Sequence, residues 1–133
     1  MNLSKTTVAA LALCLFGIST PAALAADGNW KVGRIYYRMV CTVCHKSAEG
    51  GGKAINPSSM TIAEWEAYFA ADKHAKGKDS LKYYVSREYR EKIKDSNKAA
   101  RKLLNIPDDK LLADVLAFAR HGAKDSPTPA RCN

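Results

Sequence analysis

Apolar residues recur along most of this chain at intervals of three and four positions, the spacing that places side chains on one face of a helix. Ile62, Trp65 and Phe69 follow this spacing. No stretch alternates apolar and polar residues for long enough to predict a β-strand. The pattern therefore predicts an all-α fold. The predicted helices cover about residues 30–39, 61–71, 80–104 with a break near 95–97, and 107–121.

The predicted helices carry recognisable start and stop residues. Thr61 and Glu64 fit a capping box before the second helix. Pro107 suits the first turn of the last helix, and Gly122 is placed to end it. Segment 46–59 contains three consecutive glycines and is predicted to be a loop. The buried stripe of the last helix is predicted to contain Leu111, Leu112, Val115, Phe118 and Ala119.

Residues 1–25 have the pattern of a cleaved signal peptide. Lys5 supplies a positive charge, an apolar run covers residues 8–18, and Ala23-Leu24-Ala25 gives a small-residue cleavage site. The apolar run is shorter than the roughly 20 residues of a transmembrane helix, although an uncleaved anchor is the alternative. Cleavage would leave residues 26–133 as a single domain, with a mobile tail from about residue 124. Export predicts a periplasmic location.

The charge of the exported chain narrows the class of partner. Without the first 25 residues, 20 Lys and Arg face 13 Asp and Glu, a net charge of +7. An exported protein has little contact with nucleic acid, so we expect none as a partner. No second long apolar segment follows, so we expect no stable membrane insertion. The favoured interpretation is a monomer whose basic surface docks to acidic proteins. The alternative is a basic surface that is only solvated.

The segment Cys41–His45 reads CTVCH, a C-x-x-C-H motif open to three interpretations. A structural zinc site needs four ligands, and the other residues that could supply them, His74, His121 and Cys132, show no paired spacing. A redox C-x-x-C normally follows a strand in a thioredoxin-like unit, and none is predicted here. The third interpretation is one covalently bound haem c, with two thioethers and a histidine on the iron. It is the favoured one, because the motif follows a predicted signal peptide and no partner residues complete a zinc or redox site.

The residues around this motif resemble a known family. Gly33 and Tyr37 extend the motif to G-x-x-x-Y-x-x-x-C-x-x-C-H, which is similar to the first helix and haem motif of class I cytochromes c. Pro57 stands where that family has a proline, and segment 111–120 resembles its last helix. The resemblance covers most of residues 26–133, but only the N-terminal motif is highly specific.

The resemblance implies a class I cytochrome c fold, with three to five helices around one covalent haem. Cys41 and Cys44 would form the thioethers, and His45 would be the proximal ligand of the haem iron. The Pro57 carbonyl would accept the other ring N–H of His45. Gly33 would let the first and last helices cross closely. Gly33 and Tyr37 would there meet Val115 and Phe118.

The distal ligand of the iron departs from the family pattern. Family members mostly use a methionine shortly before the last helix, and no methionine stands there. Met39 lies on the wrong side of the motif, and His121 suits the negative end of a helix dipole. His74 follows the second helix, far enough along the chain to reach the distal face. His74 is therefore the predicted distal ligand, with Met60 or an unfilled position as alternatives.

Two strong axial ligands predict an electron carrier rather than an enzyme, since the chain shows no carboxylate pair or nucleophile–base set. A narrower likeness is to periplasmic single-haem shuttles of iron-oxidising bacteria. That likeness implies acidic redox partners such as outer-membrane or inner-membrane cytochromes. The alternatives are a cytochrome subunit of a larger oxidoreductase and a gas-binding haem sensor.

Overall fold

One helical rod carries the C-x-x-C-H motif at its far end. The rod consists of α1 (Trp30–Tyr36), a π-helical turn (Tyr37–Cys41) and α2 (Thr42–His45). It begins at Asn29, whose side-chain oxygen accepts the backbone N–H groups of Lys31 and Val32. This Asn cap satisfies two of the free donors at the start of the helix. Because the rod is continuous, the position of its first turn also determines where the C-x-x-C-H motif lies.

The computed structural model describes residues 28–45, 53–74 and 78–130. The predicted signal peptide and Cys132 lie outside the described residues. Across the described ranges the elements are helical and no strand occurs, so the all-α prediction is confirmed. After the rod come a 3-10 turn (Pro57–Ser59), α3 (Ile62–Ala71), α4 (Leu81–Val85), α5 (Arg87–Ile93), α6 (Lys98–Lys102) and α7 (Asp108–His121).

The packing of α1 on α7 is the largest contact between two helices in the described structure. A Cβ atom on Gly33 would lie 1.8 Å from the carbonyl oxygen of Asp114, so only glycine permits this crossing. The rings of Tyr37 and Phe118 meet beside it, with centroids 5.3 Å apart. The predicted crossing is therefore confirmed, with Gly33 on the buried side of α1 together with Tyr36.

A buried carboxylate ties the start of α1 to the middle of α7. Asp114 is almost fully buried, and its Oδ1 accepts the backbone N–H of Asn29 at 2.7 Å. The same oxygen pairs with the ammonium of Lys110 one turn earlier on α7. A buried charge costs free energy unless it is paired and hydrogen-bonded, and both conditions hold here.

A buried cation connects α5 to the ends of α6 and α7. The Arg90 side chain is fully buried. Its Nη1 donates to the carbonyls of Leu103 and Leu104, and its Nη2 pairs with Asp108 at the start of α7. Nε donates to the carbonyl of Ser86 at 3.2 Å. Arg90 thus satisfies carbonyls at the end of one helix and a carboxylate at the start of another.

The remaining helix predictions hold in outline. The capping box at Thr61 forms, with the Glu64 backbone N–H donating to the Thr61 hydroxyl at 3.2 Å. The long region 80–104 breaks near residues 95–97 as predicted, and again at Ser86, which caps both α4 and α5. The stripe of α7 is buried except for half-buried Phe118.

The segment expected to form a mobile tail makes hydrogen bonds with the rest of the fold. The Lys124 N–H donates to the carbonyl of Met60, and the Ala130 N–H donates to the carbonyl of Gly122 at 2.9 Å. The Ser126 hydroxyl donates to the carbonyl of His121 at 2.8 Å. These bonds place residues 124–130 against the end of α7, and the mobility of the segment stays a prediction.

Replacing Gly33 with alanine tests the helix crossing. We expect Gly33→Ala to lower the free energy of unfolding by about 3 kcal/mol, the upper end of the cost of overpacking, because the clash is with backbone. Chemical denaturation followed by circular dichroism measures the change. Arg34→Ala, on the exposed side of the same helix, is the control and should change stability by no more than about 0.5 kcal/mol. Equal effects of the two variants would contradict the crossing.

Replacing Arg90 tests the buried cation. Arg90→Met keeps an apolar stem but removes the Arg90 donor from the Leu104 carbonyl and leaves the Leu103 carbonyl with the Ile106 N–H alone, so we expect a loss of about 1–3 kcal/mol in unfolding free energy. The matched control is Arg87→Met on the same helix, where an exposed pair with Glu91 contributes about 0.5 kcal/mol or less. Thermal unfolding of both variants measures the difference, and an Arg90→Met protein as stable as the control would be evidence against this role.

Candidate cofactor site

The two cysteines lie within one turn at the end of the rod. Cys41 is half-buried and Cys44 is exposed, and both are free thiols. Cys41 ends the π-helical turn, a feature found frequently at functional sites. The amide of Asn97 donates to the carbonyl of Met39 inside this turn at 2.7 Å. A tertiary contact therefore supports the unusual turn that delivers the first thiol.

His45 is held by the chain that returns after the loop. Its Nδ1 lies 2.8 Å from the carbonyl oxygen of Lys53. A carbonyl only accepts, so Nδ1 carries the proton, and the lone pair of a neutral ring is on Nε2. Histidines that bind metals usually donate their other ring N–H in this way, which fixes the tautomer and the ring orientation.

The carbonyl partner expected for His45 was Pro57, and the structure corrects this. The Pro57 carbonyl accepts the indole N–H of Trp65 at 2.7 Å. Trp65 is buried on α3, so this bond ties the 3-10 turn to that helix. The returning chain instead offers the carbonyl of Lys53, four residues earlier.

His74 owes its position to the turn that ends α3. Asp72 has φ 49° and ψ 28°, a left-handed conformation that reverses the chain directly after the helix. Asp72 tolerates this conformation better than most residues, since aspartate is enriched there. Its carboxylate accepts the backbone N–H of Lys82 at 2.8 Å, which joins the two ends of the segment that contains His74.

The two histidines face each other through their Nε2 atoms. These atoms of His45 and His74 lie 3.3 Å apart, and the rings are nearly perpendicular, at 86°. Two imidazoles on opposite sides of one metal ion have their nitrogens about 4 Å apart, twice a metal–imidazole bond of about 2 Å. The structure thus brings together the two histidines that the sequence singled out, 29 residues apart in the chain.

Tyrosines form the wall beside His74. The His74 and Tyr84 rings have centroids 5.0 Å apart. Tyr84 in turn contacts the rings of Tyr83 and Tyr89, with centroids 5.7 and 5.2 Å away. The hydroxyl of fully buried Tyr36 on α1 donates to the backbone carbonyl of Tyr84 at 2.6 Å. The rod that carries His45 is thereby bonded to the segment that packs against His74.

Burial shifts the proton affinities of two groups in the site. It lowers the pKa of His74, and the positive charge of a protonated His45 lowers this pKa further. The neutral imidazole is the form that binds metals. Burial also raises the pKa of the Cys41 thiol to about 12. The raised pKa favours the thiol form of Cys41 over the thiolate.

The alternative ligands lie in other surroundings. Met60 is half-buried, and its side chain packs against the main apolar cluster. His121 stacks on Trp30, with ring centroids 4.1 Å apart and planes 12° from parallel. This contact closes the end of α7 against the start of α1 and gives His121 a structural role.

The described residues fit a haem in three respects. Cys41, Cys44 and His45 share one end of the rod, the Nε2 atoms of His45 and His74 face each other, and an aromatic wall adjoins His74. His74 Nδ1 is buried without a hydrogen-bond partner among the described residues. Within the same ranges, no three His, Cys, Asp or Glu side chains gather around one point. A haem iron needs only the axial pair from the protein.

No family model, no curated protein and no solved structure matches this chain. The likeness to class I cytochromes c therefore rests on the residues of the motif and stays a prediction. Over residues 28–45, 53–74 and 78–130, every helix is too short or too polar to cross a bilayer.

Removing the Tyr36 hydroxyl tests the bond between the rod and the wall beside His74. Tyr36→Phe removes the hydroxyl that donates to the partly buried carbonyl of Tyr84, so we expect a loss of about 1–3 kcal/mol in unfolding free energy. Tyr83→Phe is the control, because its hydroxyl accepts from the exposed ammonium of Lys92 and should matter by about 0.5 kcal/mol or less. Denaturation curves of both variants decide, and a Tyr36→Phe protein that matches the control would refute the link.

Proposed function

We propose that this protein is a periplasmic c-type cytochrome with one covalent haem, which carries electrons between redox proteins. The observation that carries the proposal is the approach of the His45 and His74 Nε2 atoms to 3.3 Å, at the end of a helix bearing C-x-x-C-H. A class I cytochrome c fold is the finer form of this proposal. Its support is the Gly33 crossing of the first and last helices beside the motif.

Each residue of the site has a defined part in holding the haem. The Cys41 and Cys44 thiols would add across the two vinyl groups, each sulfur bonding one vinyl carbon while its hydrogen goes to the other. His45 and His74 would supply the two axial nitrogens. The Lys53 carbonyl keeps the proton of His45 on Nδ1, which leaves Nε2 free to bind. When bound, the haem supplies a one-electron couple.

Two histidine ligands favour electron transfer over the chemistry of small molecules. Imidazoles from both residues would leave no open position on the iron, and both rings are held by the folded chain. His45 is fixed by Lys53, and His74 packs against Tyr84. A second imidazole in place of a methionine should also lower the reduction potential, because methionine is the ligand that raises it. This supports a carrier rather than an enzyme.

The sequence supports the proposed location and partners of the carrier. The proposed signal peptide would direct the protein to the periplasm. The basic net charge favours weak, salt-sensitive encounters with acidic redox proteins, among them cytochromes of the outer or inner membrane. We therefore propose a monomer that meets its partners transiently.

Replacing the distal histidine tests the proposed function. Purified wild-type protein should contain one covalent haem and show the low-spin electron paramagnetic resonance signal of two imidazoles. His74→Ala should convert the iron to high spin and allow rapid carbon monoxide binding in the reduced state, because one axial position opens. Met60→Leu and His121→Ala are the matched controls, since both residues have structural surroundings, and each should keep the wild-type spectrum.

Three outcomes would contradict this proposal in different ways. A protein purified from a haem-attaching host without covalent haem would overturn the cytochrome. A methionine–iron absorption band in the wild-type protein, lost in Met60→Leu, would replace His74 by Met60 as the ligand. High-spin iron that binds carbon monoxide rapidly in the wild-type protein would favour the gas-binding sensor.

A further inference from the structure

An apolar stripe lies open on the outer face of the rod. Ile35, Met39 and Val43 stand out from the described residues as large exposed apolar side chains, with 42%, 48% and 67% of their surface accessible. They are spaced four residues apart, so they project from one side of the helix. The wider π-helical turn in the middle keeps residues at this spacing closer to one line than an α-helix would.

Positive charges flank this stripe without local neutralisation. Lys31, Arg34 and Arg38 are exposed on the same rod, and none forms an ion pair within the described ranges. The segment from Trp30 to His45 contains no Asp or Glu at all. An open groove of about 1340 Å³ runs beside these cations and is lined in part by Ile35 and Met39.

Several cations elsewhere on the surface are paired with carboxylates. On α5 and just after it, Lys92 pairs with Glu88 and Lys94 pairs with Glu91. Near the other end of the fold, Arg120 pairs with Glu66 at 3.2 Å. On α6, the exposed cations Lys98, Arg101 and Lys102 also form no ion pair within the described ranges, so unpaired charge is not particular to the rod. What distinguishes the rod is that its unpaired cations lie beside the large exposed apolar side chains of the described residues.

We propose that this stripe and its three cations form a docking face for an acidic redox protein, which we call the rod face. The rod face comprises Lys31, Arg34, Ile35, Arg38, Met39 and Val43. The partner that fits presents carboxylates around a small apolar contact, so that its charges meet the cations while its apolar centre covers the stripe. This inference rests on the proposed function.

Val43 places one end of the rod face within the C-x-x-C-H motif. Val43 lies between Cys41 and Cys44 in the chain, and Cys44 is itself exposed, so a protein that covers Val43 meets the helical turn that carries the two thiols. Exposed charges at the rim of a contact speed association and orient the partner, while a small apolar centre keeps the complex short-lived. A carrier needs both properties, because it must find its partner quickly and leave it.

A membrane surface is the competing occupant, and the packing of the rod disfavours it. Interfacial helices bury a broad apolar face by about 5–10 Å in the lipid boundary. The broad apolar side of this rod, with Tyr36, Tyr37 and Val40, is already buried in the fold. Only a line of three partly exposed side chains remains, which suits a shallow protein contact better than insertion.

The experiment compares haem-loaded variants on gold electrodes coated with mixed carboxylate- and methyl-terminated monolayers, which imitate the proposed partner surface. The triple variant K31E/R34E/R38E reverses the charges of the rod face. The matched control K98E/R101E/K102E makes the same charge change on exposed residues of α6. A third variant, I35S/M39S/V43S, removes the apolar stripe and keeps the charges. Quartz-microbalance binding and voltammetry measure affinity and electron exchange.

The rod-face reversal should weaken binding at low salt by about tenfold or more, and the α6 control by about threefold or less. The serine variant should keep binding to a pure carboxylate film but lose the gain that the wild type shows on the mixed film. Equal losses in both charge variants would overturn the proposal in favour of non-specific attraction. Stronger binding to phosphatidylglycerol vesicles than to the mixed film, with the same dependence on the rod face, would assign the face to a membrane.

Two checks keep these results interpretable. The haem spectrum and reduction potential of each variant must match the wild type, and K31Q/R34Q/R38Q replaces the reversal if the latter fails to load haem. A wild-type protein without haem would defeat the proposed function itself. Haem-loaded variants with normal potentials and unchanged binding would leave the cytochrome proposal standing and defeat the rod face alone.

Discussion

The carbonyl of Asp114 occupies the space where any side chain on Gly33 would lie, and the arrangement of the whole molecule depends on this contact. It fixes how closely and in which register α1 lies on α7. The buried Asp114 carboxylate then receives the N–H of Asn29 and holds the first turn of the rod. At the other end of α7, Gly122 allows the Pro57 turn to approach, since a Cβ there would lie 2.7 Å from the Pro57 ring. One helix therefore positions both the rod and the returning chain.

Two adjacent tyrosines of the rod bond to the two segments that contact His45 and His74. Tyr36 donates to the carbonyl of Tyr84, which belongs to the segment that packs against His74. Tyr37 points to another side of the rod and donates to the carbonyl of Ile55, in the segment that offers the Lys53 carbonyl to His45. Consecutive residues of a helix project about 100° apart, so neighbouring side chains can reach two different segments. The surroundings of both histidines thus depend on one turn of α1.

The parts of this structure that follow local rules could be predicted from the sequence. The capping box at Thr61 and the bounds of α7 are set by residues within one turn of each other. Gly33 could be placed at a crossing because it belongs to a recognisable motif. In the same way, His74 could be singled out once the methionines had been considered in turn, and the structure places it opposite His45.

The features that escaped prediction depend on contacts between distant segments. The π-helical turn is supported by Asn97, 58 residues after the carbonyl it binds. The partner of His45 is the backbone carbonyl of Lys53. Every residue has such a carbonyl, so the residue type at this position does not predict the bond. Tyr36 could be recognised as a core residue from its helical face, but its bond to the Tyr84 carbonyl depends on how α4 folds back. Only the assembled fold reveals such bonds.

The two histidines are supported unequally, and this inequality decides how the site would behave. His45 belongs to a helix and its second nitrogen is fixed by the Lys53 carbonyl. His74 lies outside the helices, between Asp72 and α4, and its second nitrogen has no partner in the described part of the chain. If the proposed haem is bound, the ligand without a second bond would be the weaker one. A change from the proposed electron carrier to a ligand binder would therefore begin at His74, and the Asp72–Lys82 bond and the Tyr84 ring are the contacts that would oppose it.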